Sequence, residues 1–268
     1  MKIRLKDIWE TAVNLLYPPH CLGCESSLHR EVDQYLCGGC RKGITHVQSP
    51  RCPRCGAGLG PYSYSTEKGC VYCKMVRLRF DGAFSAVYFQ GAVKELIHHF
   101  KYRKKEYLVG PLTTLVYEAL DIGVPFPENP HWIIPVPLHW RRKVQRGFNQ
   151  AELLARYIGK YLGVEVLPRN LSRVRDTHPQ TSLGPSQREE NVRGAFEVRT
   201  PARINGKNVL LVDDVLTTGL TASECARVLK GAGAKMVYVL TVARSVGPDQ
   251  GPGVRDQGIG GVGGSRRL

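Results

Sequence analysis

Short apolar runs alternate with amphipathic stretches through the middle of the chain, and the alternation predicts strand and helix in turn. Residues 83–89 read as a strand, 93–102 as a helix and 107–120 as a second helix. The apolar stretch 131–138, HWIIPVPL, is a strand that ends in prolines. Asn149 stands where an N-cap belongs, before a helix to about Leu162 with Leu153, Leu154, Tyr157, Ile158 and Tyr161 on one face. A strand at 164–167, a buried strand at 208–212, a helix at 221–230 closed by Gly231 and a strand at 236–242 complete the series. Strands separated by helices pair in parallel through right-handed crossovers, so the expected fold class is α/β.

The two ends follow other patterns. At the start, Ile8, Ala12, Leu15 and Leu16 suit a short amphipathic helix that packs on its own protein. Lys6, Asp7 and Glu10 interrupt the apolar residues there, so no secretory signal is expected, and no apolar run approaches the length of a membrane span. Residues 245–268 are Gly-rich without a collagen period and cannot bury enough apolar surface to offset their ordering entropy, so disorder is expected. The domain division expected is therefore a cysteine-rich segment over 1–80, an α/β domain over 81–244 and a tail over 245–268.

Composition adds little until charge and cysteine are considered. Lysine and arginine number 38 against 23 acids, a formal net charge of +15 that favours a polyanionic partner without requiring one. Eight of the nine cysteines lie in 1–80 as four CxxC pairs: Cys21/Cys24, Cys37/Cys40, Cys52/Cys55 and Cys70/Cys73. In a chain without an export signal the compartment expected is cytoplasmic, where cysteines serve as metal ligands rather than disulfides. Two intervening residues let one tight turn present both sulfurs to a tetrahedral ion, so eight thiolates supply two structural Zn²⁺ sites of four ligands each. Twelve residues separate the first two pairs and fourteen the last two, gaps that fit hairpins and favour sequential pairing. A cross-braced arrangement would use the same ligands. Cys225, inside a helical pattern, reads as a small buried hydrophobe.

The segment VLLVDDVLTTGLT, 209–221, couples a buried strand to two adjacent acids, a hydroxyl-rich turn and a helix. Asp213 and Asp214 can accept hydrogen bonds from two neighbouring ribose hydroxyls. The turn Thr217-Thr218-Gly219-Leu220-Thr221 offers amides, hydroxyls and a helix dipole to a phosphate. Read only as a strand-turn-helix, the segment leaves the paired carboxylates as an unexplained cost. It resembles the motif by which type I phosphoribosyltransferases bind 5-phosphoribosyl-1-pyrophosphate (PRPP). That resemblance implies a parallel sheet flanked by helices, Asp213 and Asp214 as catalytic and ribose-binding residues, and Mg²⁺ accompanying PRPP. Residues 135–155, PVPLHWRRKVQRGFNQAELLA, resemble the signature of the ComF family, competence proteins with a zinc segment ahead of a phosphoribosyltransferase domain. Gln180, Leu183, Arg188, Asn191 and Phe196 match that family's polar loop, and the cysteine pairs resemble its double zinc ribbon.

No acid falls between Glu128 and Glu152, yet Arg141, Arg142, Lys143 and Arg146 occur within six positions after a strand. They read as a loop for the pyrophosphate of PRPP, against the alternative of a solvated basic loop. Lys94, Lys101, Arg103, Lys104 and Lys105, interleaved with Phe100, Tyr102 and Tyr107, suit single-stranded DNA or else a helix end complemented by cations. The resemblance implies a role in DNA uptake and natural transformation, with PRPP and single-stranded DNA as ligands and DNA-uptake helicase or recombination proteins as partners. A homodimer is in keeping with the fold. The alternative is a metabolic enzyme that transfers phosphoribose to a nucleobase, and a PRPP-sensing regulator is a third. No C-terminal hood over an acceptor follows the last strand, which weighs against the metabolic reading.

Overall fold

The computed structural model describes residues 19–28, 35–60, 64–103, 105–123, 129–176 and 190–245. Four strands, β1 (Gly82–Tyr88), β2 (Trp132–Pro135), β5 (Asn208–Leu216) and β6 (Met236–Arg244), form one parallel sheet. Its order is β1-β6-β5-β2, which places β5 and β6 in the centre. Two short strands, β3 (Leu171–Arg173) and β4 (Phe196–Val198), pair antiparallel beside it.

Seven helices are described: α1 (Gly38–Lys42), α2 (Val71–Met75), α3 (Gly91–Tyr102), α4 (Val109–Asp121), α5 (Trp140–Arg146), α6 (Gln150–Leu162) and α7 (Leu220–Gly231). Side chains alternate along β5, so Leu210 and Val212 enter one core while Val209 and Leu211 enter the other. The first core packs α3, α4 and α6 on the sheet together with Cys21, Leu28 and Leu36. The second holds α7, the β3–β4 hairpin and the region of Cys52, Cys55 and Cys70. Both faces are therefore covered, which is why the central strands read as unbroken apolar runs.

Most predicted elements appear within two residues of their expected ends. Asn149 caps α6 as expected, its side chain accepting from the Ala151 N–H at 3.1 Å. Cys225 is fully buried, and burial pushes its thiol pKa well above the ordinary value. Three differences matter. β5 does not end at Val212 but continues to Leu216, because β6 pairs with it as far as Arg244. Asp213 and Asp214 thus lie within a paired strand. The strand expected at 164–167 is reduced to one parallel bridge, Val166 to Ile133, with a hydrogen bond on either side. The basic stretch after β2 is helical rather than a loop, and it stops where Gly147 turns left-handed (φ +86°) and donates its N–H to the Lys143 carbonyl.

The expected N-terminal helix, Lys104, the positions Gln180, Leu183 and Arg188, and the Gly-rich tail from residue 246 onward lie outside the described residues. No helix among the described residues is long and apolar enough to cross a membrane.

Candidate functional site

The cysteines gather into two sets, Cys21 with Cys24, Cys37 and Cys40, and Cys52 with Cys55, Cys70 and Cys73. Pairing is thus sequential rather than cross-braced. In the second set the sulfurs of Cys52 and Cys73 are 3.8 Å apart, Cys55 and Cys70 3.7 Å, and Cys70 and Cys73 3.9 Å. In the first, Cys24 and Cys37 are 3.7 Å apart. Four thiolates about 2.3 Å from one tetrahedral Zn²⁺ would lie about 3.8 Å from one another, so the donor sets fit zinc. Backbone N–H groups already point at sulfur: Cys37 donates to Cys21 at 3.3 Å, and Cys70 to Cys52 at 3.3 Å. Such bonds favour the thiolate over the thiol. With four protein ligands each, neither set leaves a coordination position for water, which suits a structural role.

A cleft of about 390 Å³ opens at the carboxyl ends of β2 and β5, where an open parallel sheet presents its ligand site. Asp213, Asp214, Thr217, Gly219 and Thr221 line it. Asp214 is buried and pairs with Lys101 Nζ at 2.9 Å, while Asp213 Oδ1 accepts the Asp214 N–H at 2.8 Å. Burial, reinforced by the Asp214 charge, pushes the Asp213 pKa up to about 7 against the pull of Lys101 and Arg173. Two carboxylates and a lysine thus share one desolvated wall of the cleft.

The turn between β5 and α7 forms the adjoining wall. Gly219 caps α7 in the left-handed region (φ +76°), with no side-chain cap and no acid in the first helical turn. The core side by itself calls for a glycine at this position. A Cβ at this position would meet Leu78 at 3.2 Å and Phe80 at 3.5 Å, on the core side, and the positive φ alone disfavours any other residue. Thr218 and Leu220 do not line the cleft; the Thr218 carbonyl instead accepts the Tyr72 hydroxyl at 2.7 Å.

Of the four basic residues on α5, Arg142 and Arg146 line the cleft, one helical turn apart. Arg141 and Lys143 are exposed on the other side; Arg141 lies over the Trp140 ring and 3.5 Å from Asp176. Arg146 lies over the Tyr102 ring and donates to its hydroxyl at 3.3 Å, which joins α5 to the end of α3. Besides Lys94, two cations of the cleft lie outside what the sequence points to for this site. Lys101 stood in a cluster read for DNA, but α3 carries it onto Asp214. Arg173, on β3, lines the cleft with Asp213, and burial and Arg142 hold its pKa below the usual arginine value. The placement of both depends on elements remote in sequence, and no local motif signals it.

Residues 12–76 match the family model described as double zinc ribbon domain, and 145–253 match that described as phosphoribosyl transferase domain. Competence protein F of Haemophilus influenzae is 30% identical over 228 residues, which cover 84% of this chain and 96% of that protein. DNA utilization protein YhgH of Escherichia coli is 28% identical over 216 residues, 79% of this chain and 91% of its own. Competence protein ComFC of Bacillus subtilis is 25% identical over 242 residues, 84% of this chain and 95% of its own.

Proposed function

Because the chain belongs to the competence protein F (ComF) family, we propose that it handles single-stranded DNA in DNA uptake and natural transformation, and that PRPP with Mg²⁺ binds in its cleft. The observation that carries this reading is the pair Asp213 and Asp214 facing a cleft that also holds Lys101, Arg142, Arg146, Arg173 and a helix start whose N-cap is a glycine. Acids for hydroxyls on one wall, amides for a phosphate on the next and three arginines for further phosphates match the three parts of PRPP. Asp213 and Asp214 orient the ribose, the turn takes the 5-phosphate through Thr217, Gly219 and Thr221, and Arg142, Arg146 and Arg173 take the pyrophosphate. Bound Mg²⁺ would supply charge neutralisation at the pyrophosphate. The cysteine sets hold structural zinc.

The DNA surface is assigned to the outward side of the same rim. Trp140 and Tyr102 are 63% and 60% exposed, Trp140 outside the cleft and Tyr102 at its edge. Arg141 and Lys143 stand beside Trp140 with their charges outside the cleft. Exposed rings among cations give a strand phosphate contacts and surfaces for base stacking.

Two measurements test the reading. Calorimetry with Mg·PRPP should show binding that is abolished in the double variant Asp213→Ala, Asp214→Ala, and undiminished binding would remove the site assignment. Binding of a labelled single-stranded oligonucleotide should weaken steeply with salt, and Arg141→Ala with Lys143→Ala should lower the slope of log K against log salt by about 0.7 for each lost contact. No binding at low salt would transfer the case to a small-molecule phosphoribosyltransferase.

A further inference from the structure

The second cysteine set touches the phosphate turn directly. Tyr72 lies between two ligand cysteines, Cys70 and Cys73, on α2, and its hydroxyl donates to the Thr218 carbonyl at 2.7 Å. The chain leaving that set continues the contact. Leu78 and Phe80 pack beneath Gly219, and the Arg79 N–H donates to Ser223 Oγ at 3.0 Å. Ser223 in turn donates to the Arg77 carbonyl at 3.3 Å, so the first turn of α7 is held as well.

A second linkage arrives from the sheet. Arg244, at the end of β6 and only 3% exposed, donates to the Cys55 carbonyl at 2.5 Å and faces Cys55 Sγ at 3.6 Å. A buried guanidinium needs an opposing charge, and four thiolates around one Zn²⁺ carry a net negative charge. The next residue, Ser245, donates its N–H to the Leu216 carbonyl at 3.0 Å, at the point where β5 gives way to the turn.

We propose that the second four-cysteine site is a brace for the phosphate turn, with Tyr72 as the residue that positions it. A trans peptide is planar, with its C=O and N–H on opposite sides. Holding the Thr218 carbonyl towards Tyr72 therefore turns the Gly219 N–H away from the ribbon. An apolar contact would fill the same space without fixing that plane, whereas a hydroxyl on one carbonyl does fix it. The first cysteine set has no such link among the contacts described. It packs on the opposite face of the sheet, where Arg41 of α1 pairs with Glu118 of α4 at 2.5 Å. The metal of the second set thus acts on ligand binding at a distance, by fixing the α2 turn that carries Tyr72. The effect on PRPP rests on the function proposed above; the brace itself does not.

The test uses the full chain carrying Tyr72→Phe, with zinc content, amide hydrogen exchange and Mg·PRPP affinity measured together. Zinc content and the exchange of α6 should match the wild type, exchange at 216–222 should speed up about fivefold, and the PRPP Kd should rise about fivefold, the effect of one hydrogen bond. Unchanged exchange at 216–222 would overturn the brace. A chelator titration of the wild-type protein gives an independent reading: exchange at 216–222 should rise as zinc leaves, and a turn indifferent to the loss of both ions would also overturn it. A wild type that binds no PRPP would remove the PRPP reading, and the exchange data would still decide the brace.

Discussion

At Asp213 burial and a neighbouring carboxylate push in the same direction, and the result is a group that titrates near neutral pH. Its folded-state pKa of about 7 lies above the ordinary 3.8, so between these values the folded chain holds a proton that the unfolded chain has released. The neutral form is the stable one, and the cost of ionisation grows as pH rises and is complete above about pH 7. Asp213→Asn keeps an oxygen that can accept the Asp214 N–H while removing that charge. The variant should be more stable than the wild type at pH 8 by roughly 1–3 kcal/mol and nearly equal to it at pH 4.5, as measured by denaturant unfolding. A difference that does not change with pH would mean that Asp213 is not the strained group. The same stored cost is what ribose hydroxyls or a cation would relieve on binding.

Among the elements, α7 shows most directly how local geometry prepares a site. It starts at a left-handed glycine that brings no capping side chain of its own, and the Leu220 N–H reaches only the Thr218 hydroxyl, at 3.5 Å. Gly219→Ala should cost about 1–2 kcal/mol, from the positive φ together with the 3.2 Å approach of the new Cβ to Leu78, and should weaken PRPP binding. Thermal unfolding and calorimetry check the two parts, and full stability in the variant would show that the turn relaxes freely. Helix α5 shows a different lesson. Its four cations fall within six positions of sequence, but a helical period sends Arg142 and Arg146 inward and Arg141 and Lys143 outward. One short segment can therefore serve two surfaces.

For the whole molecule, the two cysteine sets are parts of the two cores rather than appendages. Cys21 belongs to the core on one face of the sheet, and Cys52, Cys55 and Cys70 belong to the core on the other. The second set approaches the sheet closely enough that a Cβ on Gly56 would lie 2.2 Å from the Ala83 carbonyl oxygen. The purified, reduced protein should carry close to two zinc ions per chain. Chelation should lower the unfolding temperature of the phosphoribosyltransferase-type part as well, in a single transition. A zinc count near zero would refute the metal assignment, and an unfolding temperature that chelation leaves unchanged would show that the cores do not depend on the ions.

The sequence alone determined the elements and the chemical kinds of the sites. Periodicity located the strands and helices, Asn149 marked a helix start, four CxxC pairs specified the thiolate donors, and the Asp-Asp-x-x-Thr-Thr-Gly pattern located the acid pair and the turn. Each of these is written in residues a few positions apart, where backbone geometry fixes spacing. Only the tertiary structure decided which remote residues meet them. The length of β5 depends on its partner β6, Lys101 reaches Asp214 because α3 lies across the end of the sheet, and Arg173 arrives on a separate hairpin. Tyr72 and Arg244 link the second cysteine set to the turn across some 150 to 190 residues of sequence. Such contacts are selected by how two cores pack against one sheet, and packing leaves no periodic trace in the chain.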